Sequence, residues 1–381
     1  MECFQLSTQG TMSRFTSRIL SQYRRAKFKF KGAIERVVVS GSIIIILVTI
    51  GLAIVEEESR TIPTDSHELR SLLREASAEN RRRVRLVDDT CKNNYLGSYG
   101  QPEIEPLWKH PPAPQYTVLY IDEAHNISYC PIYKAGSTTW LYNLCLLNGI
   151  SENELDDGRQ QISTIARKVL PAMEFPEADE AIKKSANLLV VRHPFERLLS
   201  AYRDKLENSV AGREHGTLHF YEKYGTKIVR KYRDEKVSPP RPDQVIRKKG
   251  VPPPAGIEPT WREFVQYLID TDLASYGDDH WMPYYLFCAP CIVEFDLIAK
   301  VETLWRDQIF AIYELGLENK ISPRWRHRNS DKSNAAKVYF SQLSPGMVAR
   351  LYDKFKLDFQ MFDYSPVWPV NYYEYTTSDG S

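Results

Sequence analysis

The sequence contains no GxxxxGK(S/T) loop, which excludes the phosphate cradle used by nucleotide kinases. Net charge is almost absent: 50 Lys and Arg stand against 49 Asp and Glu, giving +1 over 381 residues. The overall balance therefore selects no charged partner. Cysteine is sparse, at six residues. Two of them, Cys288 and Cys291, form a CxxC, but no second ligand pair at suitable spacing accompanies it, so no zinc site is expected. The thioredoxin-like surroundings of a redox CxxC are missing too. No internal repeat is visible, which sets aside solenoids and propellers. Hydrophobic residues make up 43% of the chain and charged residues 26%, enough for one sizeable core plus extensions.

Long uncharged runs are also scarce, with one exception. Val37 to Val55 carries no charge, and as a helix it would span about 28 Å, close to a bilayer's hydrocarbon core. Eight Lys and Arg precede it, from Arg14 to Arg36, and Glu56, Glu57 and Glu58 follow. The positive-inside bias then makes 1–36 a basic cytosolic tail, 37–55 a signal-anchor helix and the rest lumenal, a single-pass type II arrangement. A buried core helix or a cleaved signal peptide is the alternative reading of the same run. On the type II topology Cys91, Cys130, Cys145, Cys288 and Cys291 face an oxidising lumen. Five is odd, so at least one is free or pairs between chains. Cys288 reads as a disulfide former with no partner assigned. Asn126-Ile-Ser128 is the single N-x-S/T sequon and a possible glycan site.

Residues 56–115 read as a stem. Its first part, Ser66 to Val87, is charged, with Leu69, Leu72 and Leu73 at helical spacing; its second, Gln101 to Pro114, is proline-rich. A domain over 116–370 and a tail over 371–381 complete the chain. Strands are expected near Thr117–Ile121, Ser128–Ile132, Leu188–Val191 and Leu297–Val301. Helices are expected near Thr138–Leu147, Pro194–Asn208, Thr260–Ile269, Leu304–Leu315 and Pro345–Phe355. Ser344 would cap the last, with Pro345 at its first position. This alternation indicates an α/β domain with a mainly parallel sheet, whose ligands bind at the carboxyl ends of strands. Between helices, Lys223 to Lys249 holds ten Lys or Arg and three acids, broken by prolines. It is either a cationic rim for an anionic polysaccharide or a solvated insertion; nucleic acid is not the expected partner of a lumenal domain.

The chemistry concentrates in two segments. In the first, a β-rich run through Ile132 ends in KAGSTTW, Lys134 to Trp140, and a helical apolar pattern follows. A loop at a helix start offers unpaired backbone N–H groups to an anion. Ser137, Thr138 and Thr139 add hydroxyls and Lys134 adds a charge. In the second, the apolar strand Asn187–Val191 leads into RHPFERLLSAYRDK, with Pro194 at a helix start. Arg192 then lies at the strand's end and Ser200 about two turns into the helix. Two such sites imply a ligand with two separated anionic groups.

This pair resembles the cofactor motifs of sulfotransferases that use 3′-phosphoadenosine 5′-phosphosulfate (PAPS). A third block narrows the resemblance: Asp279-His-Trp-Met-Pro283, then Cys288-Ala-Pro-Cys291 and the run from Phe295 to Leu304. It is similar to the HW…CxPC…YDxIGKxET signature of Golgi carbohydrate sulfotransferases, the group that includes chondroitin and dermatan 4-O-sulfotransferases. The tail from Phe340 to Ser365 resembles that group's C-terminus. Phe295 stands where the pattern usually has tyrosine and Ala299 where it has glycine, which leaves the acceptor sugar open.

The resemblance implies an α/β, P-loop-like sulfotransferase domain with a mainly parallel central sheet flanked by helices, plus the N-terminal transmembrane helix, in the Golgi membrane. It implies PAPS as co-substrate, a glycosaminoglycan-like glycan as acceptor, and the 4-O position of GalNAc in a chondroitin-like chain as target. Lys134, Ala135, Gly136, Ser137, Thr138, Thr139 and Trp140 would hold the 5′-phosphosulfate, and Arg192 and Ser200 the 3′-phosphate. Sulfuryl transfer needs a cation at the leaving oxygen and a base at the acceptor hydroxyl, and no metal is required by that logic. Lys134 is the candidate cation; the alternative is a lysine that merely anchors the loop. His280, beside Asp278, is the candidate base; the alternative is a histidine packed beside Trp281. Glu302 and His193 are the runners-up. A basic loop from Arg324 to Lys332 could close over the donor or stay solvated. The rival functions are a kinase, which wants a Walker lysine and metal carboxylates, and a non-catalytic glycan-binding relative, which predicts loss of Lys134 or Arg192.

Overall fold

The protein is described by a computed structural model over residues 62–63, 65–105, 107–210, 217–234, 254–324 and 332–366. The expected tail 1–36, the apolar run 37–55, the terminal segment 371–381 and residues 235–249 of the basic stretch lie outside the described residues. Among the described residues no helix is long and apolar enough to cross a membrane.

Four strands form one sheet in the order β1-β2-β3-β4. They are β1 (Tyr120–Asp122), β2 (Ile127–Cys130), β3 (Ala186–Val191) and β4 (Leu297–Lys300). β2 pairs with β3 in parallel, Cys130 opposite Leu189, and β3 pairs with β4 in parallel, Val191 opposite Lys300. β1 is the exception. It runs antiparallel to β2 because only a four-residue turn joins them, too short for a crossover. The sheet is thus mainly parallel, as expected, with one antiparallel edge.

The two-residue period of the strands divides the core. Tyr129, Leu188, Val190 and Ala299 face a cluster shared with α2 (Ser137–Leu147), α3 (Ile162–Val169) and the later helix Leu304–Glu314. Ile121, Cys130, Leu189 and Ile298 face the opposite cluster. α2 is buried on nearly every side from Thr139 to Cys145, so its apolar residues need no single stripe. A third cluster gathers Phe195 and Leu198 of α4 (Pro194–Lys205), Trp261 and Phe264 of α5 (Trp261–Asp270), Trp281, and Phe355 of the last helix. Thr260 and Glu263 cap α5 reciprocally, each side chain accepting from the other's backbone N–H. α6 (Tyr284–Phe287), α7 (Leu304–Glu314) and α8 (Pro345–Met361) complete the set that positions the site. Ser344 caps α8 and Pro345 opens it, as its sequence predicts.

Part of the segment expected as a stem is helical and belongs to the compact unit. The folded unit begins at Ile62, and α1 (Ser66–Asn93) is built into it. Its side chains close the free edge of β4. Asn80 donates to the Asp296 carbonyl at 2.7 Å and accepts from Ile298 N at 2.9 Å. Arg83 donates to the Ile298 carbonyl at 2.8 Å, and Asp307 accepts from Lys300 N at 2.9 Å. Each of these is a ladder group that an unprotected edge strand would expose. Arg83 is itself buried and pairs with Asp307 at 2.6 Å, so neither charge is left without a partner.

Disulfides join distant segments at two points. Cys91 at the end of α1 bonds to Cys291, and Cys130 at the end of β2 bonds to Cys288. The two cysteines of the CxxC therefore serve separate bridges, and Cys145 is left free and buried. Gly97 passes so close to the first bridge that an added Cβ would lie 1.9 Å from the Cys291 carbonyl oxygen. Only glycine fits there.

Candidate active site

The three parallel strands end on one edge, at Cys130, Val191 and Lys300. The segments leaving that edge carry the predicted chemistry. After β2 the chain turns tightly, with Ala135 N donating to the Ile132 carbonyl at 3.2 Å. Lys134 has φ +69° and Gly136 φ +75°. The second value is ordinary for glycine; the first is uncommon for a side-chain-bearing residue and sets Lys134 at a strained corner. A Cβ at Gly136 would meet only ordinary contacts, so backbone conformation selects glycine here and not lack of space. Gly136 is the N-cap of α2 and supplies no capping side chain. Half-buried Ser137 and Thr138 occupy the first turn, while Ala135, Thr139 and Trp140 are buried. Trp140 packs into the core cluster behind the loop, so its part is to support the loop from below.

Lys134 is half-buried, and its Nζ lies 3.0 Å from Asp204 Oδ2. Burial lowers the lysine's pKa, and Asp204 partly restores it. Burial would raise the Asp204 carboxyl, but Lys134 and Lys205 outweigh it and hold the group well below the usual carboxylate range. Asp204 stands one helical turn beyond Ser200 on α4, so the helix that brings Ser200 also brings the lysine's counterion.

Arg192 lies just past β3. Its Nη2 is 3.0 Å from Glu196 Oε2, and its Nη1 donates to the Lys134 carbonyl at 3.3 Å. The backbone of the first motif is thus bonded to the arginine of the second. Tyr284 Oη donates to the Arg192 carbonyl at 2.6 Å and fixes it from below.

His280 Nδ1 is 2.7 Å from Asp278 Oδ1. With the proton on Nδ1 held by the carboxylate, Nε2 is the basic nitrogen. Burial would raise Asp278, but its bonds from His280 and Tyr224 bring the carboxyl down to about 2. The imidazole lies on the ring of Tyr133, centroids 4.4 Å apart, with Phe220 edge-on at 5.0 Å. Tyr133 precedes Lys134, so the ring that His280 lies against belongs to the residue next to Lys134 in the chain.

Both runners-up have structural tasks. Glu302 accepts from His193 N and from Tyr364 Oη, each at 2.8 Å. His193 is buried, its Nε2 3.0 Å from the Ser365 carbonyl, and burial pushes its pKa down to about 4. In the basic loop Arg324 pairs with Glu152; residues 325–331 lie outside the described residues.

A family model described as the sulfotransferase family matches residues 118–365. The chain belongs to the sulfotransferase family. Carbohydrate sulfotransferase 11 of Mus musculus is 30% identical over 287 residues, 73% of this chain and 74% of the relative. Carbohydrate sulfotransferase 8 of Homo sapiens is 27% identical over 289 residues, 74% of this chain and 62% of the relative. Carbohydrate sulfotransferase 10 of Xenopus laevis is 28% identical over 301 residues, 75% of this chain and 76% of the relative. No solved structure matches. The protein is a carbohydrate O-sulfotransferase that transfers a sulfuryl group to a glycan, and its family implies PAPS as the donor.

The loop of this sulfotransferase suits an anionic donor. The helix start has no capping side chain, its first turn carries Ser137, Thr138 and Thr139, and Arg192 is bonded to the backbone of Lys134 just before it. Among the described residues no Cys, His, Asp and Glu group could hold a metal ion. Two residues that sequence reasoning passed over belong to the candidate site. Asp204 is one, and its signal was its spacing of four from Ser200. Arg197 is the other. This fully buried guanidinium donates to the Tyr133 carbonyl at 2.9 Å, the Met282 carbonyl at 2.7 Å and the Asp279 carbonyl at 3.0 Å. It therefore clamps the segment bearing His280 to the segment bearing Lys134.

Proposed function

We propose that the enzyme sulfates a chondroitin-like chain, with the 4-O position of GalNAc as its target. The observation that carries the site reading is the 3.3 Å bond from Arg192 to the Lys134 carbonyl, which joins two anion-binding motifs at one sheet edge. PAPS supplies a sulfuryl group on a phosphate leaving group. Lys134, the N–H groups after Gly136, and Ser137, Thr138 and Thr139 hold the 5′ end. Arg192 and Ser200 hold the 3′-phosphate. Lys134 offsets charge on the departing phosphate oxygen, and His280 Nε2 takes the acceptor hydroxyl's proton as the new O–S bond forms. Arg192 and Lys134 each carry a carboxylate partner, Glu196 and Asp204, which keeps two cations close together before an anion arrives.

The acceptor is tested by radiolabelled sulfate transfer from PAPS onto a panel of desulfated glycans. Chondroitin labelled on GalNAc O4 supports the reading. Label on another glycan or position with chondroitin untouched rejects it.

We further propose a single-pass type II Golgi protein with Val37–Val55 as anchor, on the strength of the charge asymmetry around that run. Asn126 is exposed in the β1–β2 turn, where a lumenal glycan would be tolerated. Protease added to sealed microsomes should spare the large domain; its digestion without detergent would reverse the topology.

A further inference from the structure

The outer face of α1 carries charge that neither the fold nor the donor site uses. At about 100° per residue, His67, Arg70, Arg74, Arg81, Arg85 and Lys92 fall within an arc of about 60°, and all of them are exposed. From Arg70 to Lys92 the row runs for about 33 Å along the helix. Asp88 is the one acid in that arc, and it accepts a hydrogen bond from Tyr99 Oη. The row lies on the side of α1 away from Asn80 and Arg83, the residues that close the β4 edge.

The arginines of this helix divide into two kinds. Arg82 pairs with Glu79 at 2.8 Å and with Asp363 at 2.7 Å, and Arg83 pairs with Glu79 at 3.1 Å and with Asp307 at 2.6 Å. Among the described residues, Arg70, Arg74, Arg81, Arg85 and Lys92 have no ion-pair partner. Two of them are steadied from within the helix. Arg70 Nε donates to the Ser66 carbonyl at 2.9 Å, and Arg81 Nη1 donates to Ser77 Oγ at 2.6 Å. The helix itself is fixed, by the Cys91–Cys291 bridge at one end and the buried Arg83–Asp307 pair in the middle. The cations are therefore held in line before any partner arrives, which lowers the ordering cost of binding.

The shape of the row selects the partner. It is long and about one side chain wide, and exposed Asp89 and Glu75 lie along its flank. A flat anionic headgroup plane would meet those acids as well as the cations, and like-charge repulsion would oppose it. A linear chain with anions at intervals meets the cations alone, and guanidinium groups suit carboxylate and sulfate oxygens. We infer that the outer face of α1 is a docking track for an extended polyanionic glycan, separate from the donor site at the strand ends. The inference goes beyond the acceptor reading above, because it concerns a surface that holds the polymer and not the hydroxyl that is sulfated.

Binding of end-labelled chondroitin sulfate chains to the full-length protein, followed by fluorescence polarisation, tests this without reference to turnover. The variant is Arg74→Gln/Arg81→Gln/Arg85→Gln, since glutamine keeps a long side chain and a good helix propensity. A control, Lys168→Gln/Lys183→Gln/Lys184→Gln, removes the same charge from exposed positions elsewhere. The α1 variant should bind the chains roughly tenfold more weakly or worse, the combined effect of three exposed ion contacts, while its melting temperature and 3′,5′-ADP affinity stay at wild-type values. The control should bind like the wild type, and wild-type affinity should fall as salt is raised. Unchanged affinity in the α1 variant, or an equal loss in the control, would overturn the inference. So would an α1 variant that loses binding to phosphatidylserine vesicles and keeps binding to chondroitin sulfate, since the row would then be a lipid surface.

Discussion

Lys134 Nζ lies 3.0 Å from Asp204 Oδ2, and the same oxygen is 3.2 Å from Lys205 Nζ. One carboxylate on α4 therefore holds two ammonium groups beside the loop that follows β2. If Lys134 acts as proposed, Asp204 should influence turnover through this ion pair. Burial already lowers the Lys134 pKa, and Asp204 opposes that fall. In the proposed role Lys134 must be charged to stabilise a leaving phosphate, so activity should decline as pH rises through its pKa. In Asp204→Asn the opposition is gone, the pKa drops further, and the alkaline limb of the turnover profile should move toward neutral pH. Profiles of wild type and variant at saturating PAPS check this; coincident alkaline limbs would separate Asp204 from the charge state of Lys134.

Arg197 offers a structural counterpart. Its three carbonyl bonds join Tyr133 to Asp279 and Met282 in a fully buried setting. Lysine in its place keeps the charge but cannot span all three acceptors. Arg197→Lys should lose about 3 kcal/mol or more, read as a fall of roughly 5–10 °C in Tm. Turnover should fall as well, because the two catalytic segments lose their clamp, while 3′,5′-ADP affinity stays close to wild type. Melting curves, turnover and nucleotide titration on one preparation separate these effects. A stable variant with full turnover would show that the clamp is dispensable.

His193 predicts how stability responds to acid. Burial depresses its pKa to about 4, against an ordinary value near 6.5. The folded state thus resists protonation that the unfolded state accepts. The stabilisation is fully present above about pH 6.5 and is lost as pH falls toward 4, by at most ~1.4 kcal/mol per pH unit from this group. Urea titrations between pH 4 and 7 should show that slope in the wild type and a shallower one in His193→Gln. Parallel slopes would assign the acid sensitivity to other groups.

Much of this was legible locally. The four strands and the five main helices of the domain fell close to their expected positions, because apolar runs, Pro194, Pro345, Ser344 and the Thr260–Glu263 pair mark element boundaries within a few residues of sequence. Lys134, Gly136 and Arg192 stand out in the sequence for the same local reason: each lies in a segment that leaves the carboxyl end of a parallel strand. What escaped was long-range. Arg83 reads as one more charge in a polar helix, and only Asp307, 224 residues on, shows that it is buried. The closure of the β4 edge by Asn80 has no local signature either. Asp204 and Arg197 lie inside a recognised motif, but their partners come from other segments, so their roles emerge only once the chain is folded.

Lys134 and His280 are proposed to act on one sulfuryl transfer, and turnover against pH at saturating PAPS tests that pairing. Wild type, Lys134→Ala and His280→Ala are compared, each checked for fold and 3′,5′-ADP binding. Both variants should bind the nucleotide and turn over slowly. The loss in His280→Ala should be about 100- to 10,000-fold, the usual contribution of a general base. A folded His280→Ala enzyme with near-normal turnover and an unchanged profile, or a Lys134→Ala enzyme with undiminished turnover, would contradict the account.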